Sequence, residues 1–165
     1  MSRTGKSMSM ALAVVAGIGL ALPARAAAQV GLGAHYAYLA DAFGGTQGAG
    51  ARVTIGLPPL PVSAAVNGEY FFPPCGERDC TLRGLTADLN FSLPFPGLRT
   101  WVGVGWSVRQ VELDGFGSSR TERGLNIGAG AEMRAVPLRP YLDVRYELAD
   151  APEDQLLLRL GLMLR

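Results

Sequence analysis

Few groups in this chain could do chemistry. There is one histidine, His35, and one lysine, Lys6, in 165 residues. A lipid-modifying or hydrolytic site needs a nucleophile and a base within hydrogen-bond reach. His35 is the natural base. The serines that could serve it, Ser63, Ser92, Ser107, Ser118 and Ser119, sit in no recognisable motif. Two cysteines, Cys75 and Cys80, stand close together in FFPPCGERDC. With Glu77 and Asp79 they suggest a metal site, but no histidine lies near and the spacing matches no known ligand set. In an oxidising compartment the same pair forms a disulfide that ties a small loop. The sequence calls for no metal and no cofactor.

What remains is ionic. Arg52, Glu69, Asp88, Arg109, Glu132, Arg134, Asp143, Arg145, Glu147 and Arg159 are five arginines and five acids. A charge buried without a partner costs several kcal/mol. Near-balance therefore suits a structural ion-pair network inside a closed core. A sharper reading makes the same pairs a gate that rearranges to pass small ions. Either reading needs elements that turn all ten side chains to one interior.

The N-terminus says where those elements fold. Arg3 and Lys6 precede an apolar run from Met8 to Leu22, and Ala26-Ala27-Ala28 stands before Gln29. That is a positive start, a short apolar core and a small-residue cleavage site, the pattern of a secretory signal. Residues 1–28 read as the signal and 29–165 as one mature domain. No cysteine follows the cleavage site, so a lipoprotein signature is missing. The mature part holds twelve arginines, no lysine and fourteen acidic residues. It has no basic patch, which argues against a nucleic-acid partner. After the signal no apolar run reaches the 18 residues of a spanning helix.

The domain breaks into alternating stretches with two kinds of punctuation. Proline-rich breaks fall at 57–61, 93–97 and 136–140. Polar, often glycine-rich breaks fall at 41–48, 73–80, 114–122 and 150–154. The two kinds take strict turns. Proline cannot donate to a sheet ladder and marks strand ends. Seven breaks predict eight strands, near 30–40, 48–57, 62–72, 81–93, 98–113, 123–135, 141–149 and 154–165. Successive strand side chains point to opposite faces. In the last strand Leu156, Leu158, Leu160, Leu162 and Leu164 share one face, while Arg159 lies on the other. The remaining strands show the same contrast, for example Val102, Val104, Trp106 and Val108 against Gly103, Gly105, Ser107 and Arg109.

Alternation alone fits two solvents. A soluble barrel turns its apolar face inward, and a membrane barrel turns it to lipid. Three features favour lipid. Short proline breaks alternate with longer polar ones, as periplasmic turns alternate with external loops. Aromatic residues cluster near strand ends: Tyr38, Tyr70, Phe72 and Tyr146 at one end, and Phe91, Phe95, Trp101 and Tyr141 at the other. These predict two interfacial girdles. The polar face is rich in glycine, which a narrow interior needs if it also holds arginines. Eight strands enclose room only for side chains, so any conductance should be small.

With this pattern the chain resembles the small eight-stranded outer-membrane barrel family, of the OmpA transmembrane-domain and OmpX type. The resemblance spans 29–165 and rests on architecture. It implies an all-β, antiparallel up-and-down barrel in the outer membrane of a diderm bacterium, with both ends in the periplasm. It implies outer-membrane lipid as the main partner and a monomer, with the external loops open to a surface partner. Members usually end in an aromatic residue, whereas this sequence ends Leu162-Met163-Leu164-Arg165. The expected role is structural, interactive or porin-like and not enzymatic. The alternatives are a soluble lipocalin-like carrier of an apolar ligand and a lipid-modifying enzyme.

Overall fold

The computed structural model describes residues 29–41, 44–73, 80–113, 118–134, 137–149 and 155–165. The signal at 1–28 lies outside them, as do Cys75, Glu77 and Asp79. Eight strands follow in order: β1 Gln29–Asp41, β2 Gly44–Gly56, β3 Val62–Phe72, β4 Cys80–Phe95, β5 Leu98–Leu113, β6 Ser118–Met133, β7 Leu138–Ala149 and β8 Gln155–Leu164. Each pairs antiparallel with the next, and β8 pairs back onto β1, from Leu32↔Leu164 to Ala40↔Leu156. The barrel is closed, so each strand has a neighbour on both sides over its middle, and unpaired edges remain only at strand ends.

Burial along the strands has period two, and its sense is inverted relative to a soluble protein. On β8 Leu160 is 60% exposed while Arg159 is fully buried. Leu32, Leu89, Val104, Trp106, Ile127 and Leu142 face outward, and Asp143, Arg145 and Glu147 face in. An apolar outer band around a charged interior is the signature of a barrel set in lipid. It overturns the carrier alternative, which needs the opposite arrangement.

The proline breaks work as expected, with one refinement. Pro96-Gly97 is a two-residue turn joining Phe95 to its partner Leu98, and Gly97 has φ +74°. Proline first and a left-handed glycine second is the type II combination. The breaks at 93–97 and 136–140 are partly strand, because β4 runs through Pro94 and β7 contains Pro140. The ladder explains both. Pairing of β4 with β3 ends at Phe91, and pairing of β7 with β6 begins at Tyr141. Each proline therefore sits where its strand has one neighbour only, the place a missing N–H is tolerated.

Two of the polar breaks are shorter than expected; 74–79, 114–117 and 150–154 lie outside the described residues. β1 reaches Asp41 and β2 starts at Gly44, so 41–48 is mostly strand. β6 starts at Ser118, five residues before the predicted start. The connection 42–43 is as short as the turn 96–97. These stretches are polar because Thr46 and Glu122 continue the inward series and Gln47 and Arg120 are exposed. Composition alone cannot separate such a strand from a loop.

Candidate functional site: a charged plug across the barrel

Four strands meet at Asp143. Its Oδ2 accepts from Arg159 Nη1 at 2.9 Å and Arg145 Nε at 3.2 Å, with Arg52 Nη1 at 3.4 Å. Its Oδ1 accepts from Trp101 Nε1 at 3.0 Å. Three of these partners donate hydrogen bonds and Arg52 makes an ion pair; they come from β8, β7, β5 and β2. Arg159 crosses the lumen: its Nε donates to Glu69 on β3 at 2.7 Å, and its Nη2 donates to Thr86 on β4 at 2.9 Å. Asn67 donates to both Thr86 and Asp88 at 2.9 Å. Arg145 donates to Asn90 at 2.5 Å and lies 3.7 Å from Asp88. Arg52 lies between the rings of Trp101 and Tyr141, at 5.3 and 5.1 Å from their centroids.

Glycine makes room for these long side chains. A Cβ at Gly128 would strike Arg145 and the Val144 carbonyl, and one at Gly103 would strike Asn90. β5 and β6 thus lay a glycine floor on which Arg145 lies flat.

Smaller groups close the interior on either side. Toward the 42–43 connection, Arg109 bonds Glu147 and Gln155 beside a cluster of Ala37, Leu39, Phe71 and Leu157. Toward the proline turns, Trp101, Tyr141 and Met163 form a second cluster. Beyond it Glu132 pairs with Arg139 at 3.2 Å and with Arg165 at 3.6 Å.

Of the ten charges expected inside, nine are buried there: Arg52, Glu69, Asp88, Arg109, Glu132, Asp143, Arg145, Glu147 and Arg159. Arg134 is the correction. β6 ends at Met133, and Arg134 is exposed beyond it, its backbone N–H reaching the Gly97 carbonyl. A second correction concerns the girdles. Tyr70, Phe72, Phe91, Phe95 and Tyr146 are exposed, but Trp101 and Tyr141 are 6% and 2% exposed and face inward. Their odd positions place them with Gly103 and Asp143; position in the pleat overrides nearness to a strand end. Arg99, Arg139 and Arg165 were missed as interior residues. They continue the inward parity of β5, β7 and β8, but two of them lay in or next to stretches read as turns.

His35 also faces inward. Its Nδ1 is 2.9 Å from the Tyr141 hydroxyl and its Nε2 3.4 Å from Glu69. The Nδ1 contact is a hydrogen bond and the Nε2 contact a longer one with the carboxylate, and both lie on the side away from lipid.

A closed antiparallel barrel with leucines outside and paired charges inside belongs to the outer-membrane class of folds. The comparisons with solved structures agree. The chain is similar to Neisserial surface protein A, with a TM-score of 0.59, 18% identity, and 82% of this chain and 94% of that chain covered. It is similar to the N-terminal β-barrel domain of Pseudomonas aeruginosa OprF, with a TM-score of 0.53, 17% identity, and 82% and 98% covered. It is also similar to a major outer membrane protein of Thermus thermophilus, with a TM-score of 0.57, 14% identity, and 84% and 99% covered. No protein-family model matches the chain, and no curated protein matches it by sequence. The shared feature is the fold: an eight-stranded barrel of the kind found in bacterial outer membranes.

Proposed function

We propose that this chain is a non-enzymatic outer-membrane protein, exported by a signal at 1–28, whose barrel is plugged by its own ion pairs. Its role is to stand in the membrane as a monomer and to present its connection-side rim to a surface partner. The observation that carries this reading is Arg159. It spans from β8 to β3, β4 and β7 and is fully buried, so it bars the middle of the lumen. A diffusion pore would need this side chain to leave three partners at once.

The enzyme alternative finds little support. His35 is turned from lipid, and its neighbours are Tyr141 and Glu69, not a serine or cysteine. The Cys75–Cys80 disulfide remains part of the proposal, since Cys75 lies outside the described residues. It predicts that the protein, denatured without reductant, takes up no thiol label.

Two measurements test the reading. Folded protein in the outer-membrane fraction should shift on a gel when boiled, and protein found soluble in the periplasm would overturn the placement. In planar bilayers the barrel should show no steady conductance, or only small brief events. A stable porin-sized conductance in the wild type would refute the plug.

A further inference from the structure

The ion pairs balance at mid-barrel but not at the proline-turn mouth. Arg99 on β5, Arg139 on β7 and Arg165 after β8 all face inward there. Among the described residues the acid beside them is Glu132, which is 2% exposed. Glu132 is already paired with Arg139 and Arg165. Three guanidinium groups thus meet one side-chain carboxylate, an excess of positive side-chain charge. Arg99 makes no hydrogen bond or ion pair with the described residues, although its ladder partner is Glu132 itself. Its side chain instead crosses the mouth. A methyl group at Gly56 on β2 would lie 3.8 Å from Arg99 Nη2.

These groups line one narrow cleft with a free volume of about 10 Å³, so an ion the size of phosphate enters only as the Arg99 and Arg165 side chains part. Its walls include Arg52, Arg99, Arg165, Glu132, Trp101 and Ser63. Several N–H groups around it have no acceptor among the described residues: Arg165 Nε and Nη1, Arg52 Nε and Arg139 Nε. Arg52 is 3% exposed, so its free Nε is deep in the protein. Guanidinium forks match the oxygen geometry of phosphate and carboxylate. The positive excess favours an anion with several oxygens to accept from these forks.

We propose that the proline-turn mouth is a phosphate-binding site, formed by Arg99 and Arg165 with Arg139 behind them and Arg52 at its floor. The ligand is a phosphate dianion or phosphomonoester. In the outer-membrane placement this mouth opens to the periplasm; the binding itself does not depend on that placement. The source is either free phosphate or a lipid headgroup at the rim.

Inorganic phosphate titrated into the folded barrel in a zwitterionic detergent, at ionic strength held constant with chloride, tests this by calorimetry. Saturable binding of about one phosphate per barrel is expected. Arg99→Gln should weaken it at least tenfold, and Arg165→Gln should do the same should the first variant fail the gel-shift test for folding. Arg120→Gln, exposed at the opposite end, should leave it unchanged. No saturable binding, or binding that survives both mouth variants, would overturn the site. A short-chain phosphatidic acid that competes with phosphate would assign the source to a headgroup. Failure to compete would assign it to the free anion.

Discussion

Replacing Arg159 with Met tests the central cluster most directly. Met keeps an unbranched side chain and removes three hydrogen bonds, to Glu69, Asp143 and Thr86. The three partners do not suffer equally. Asp143 keeps Arg145, Arg52 and Trp101, and Thr86 keeps Asn67. Glu69 keeps only His35, at 3.4 Å. The variant therefore leaves one acid bare in a site almost closed to water. Removing one member of a buried ion pair costs about 3–5 kcal/mol. That is a change in the unfolding constant on the order of a hundredfold or more. The assay is reversible urea unfolding in lipid vesicles, followed by tryptophan fluorescence. Adding Glu69→Leu should restore most of the loss, because an apolar replacement of a whole buried pair is often near neutral. The reasoning fails if Arg159→Met lies within the roughly 0.5 kcal/mol typical of a surface substitution. It also fails if the double variant is less stable than the single one.

Three further outcomes follow from the same geometry. Leu160→Arg puts a charge on the outer face beside the buried Arg159 and should cost about 2–4 kcal/mol in vesicle unfolding; a silent change would mean Leu160 does not meet hydrocarbon. Gly128→Val should cost about 1–3 kcal/mol or prevent folding, since its side chain would enter the space of Arg145; Gly68→Ala, with nothing within 4 Å of the new methyl, should be neutral or stabilising by up to about 1 kcal/mol. If the two behave alike in a refolding yield assay, the glycine floor is not needed. Brominated lipid should quench Trp106, which is 48% exposed, and spare the interior Trp101; strong quenching that persists in Trp106→Phe would place Trp101 in lipid.

The strand count, the antiparallel order and the inward face of nearly every strand were legible in the sequence. The reason is that a strand's side chains alternate strictly, so one parity assignment carries over its whole length. Parity placed Arg159, Glu69 and Asp143 inside and Leu160 outside. The same parity, applied to the ends of the strands at 98–113 and 154–165, also reaches Arg99 and Arg165; Arg139 needed its strand followed back through Pro140. Trp101 and Tyr141 were misplaced where clustering near strand ends was preferred to parity. The breaks at 41–48 and 114–122 were read too wide because polar residues serve equally in a connection and in a strand that faces an ionic interior. Arg134 was misplaced because alternation does not say where a strand stops.

Alternation also leaves the solvent undecided, since a soluble barrel and a membrane barrel share one pattern. Closure and burial decided it: β8 pairs with β1, and the leucines are left on the outside of the closed sheet. The partners within the interior were likewise a matter of tertiary structure. Which carboxylate meets Arg159 depends on the stagger of the ladders around the closed barrel, and that stagger brings Glu69 to it from 90 residues away. A count of charges predicts balance along the chain. Only the folded barrel shows that balance holds at its centre and fails at one mouth.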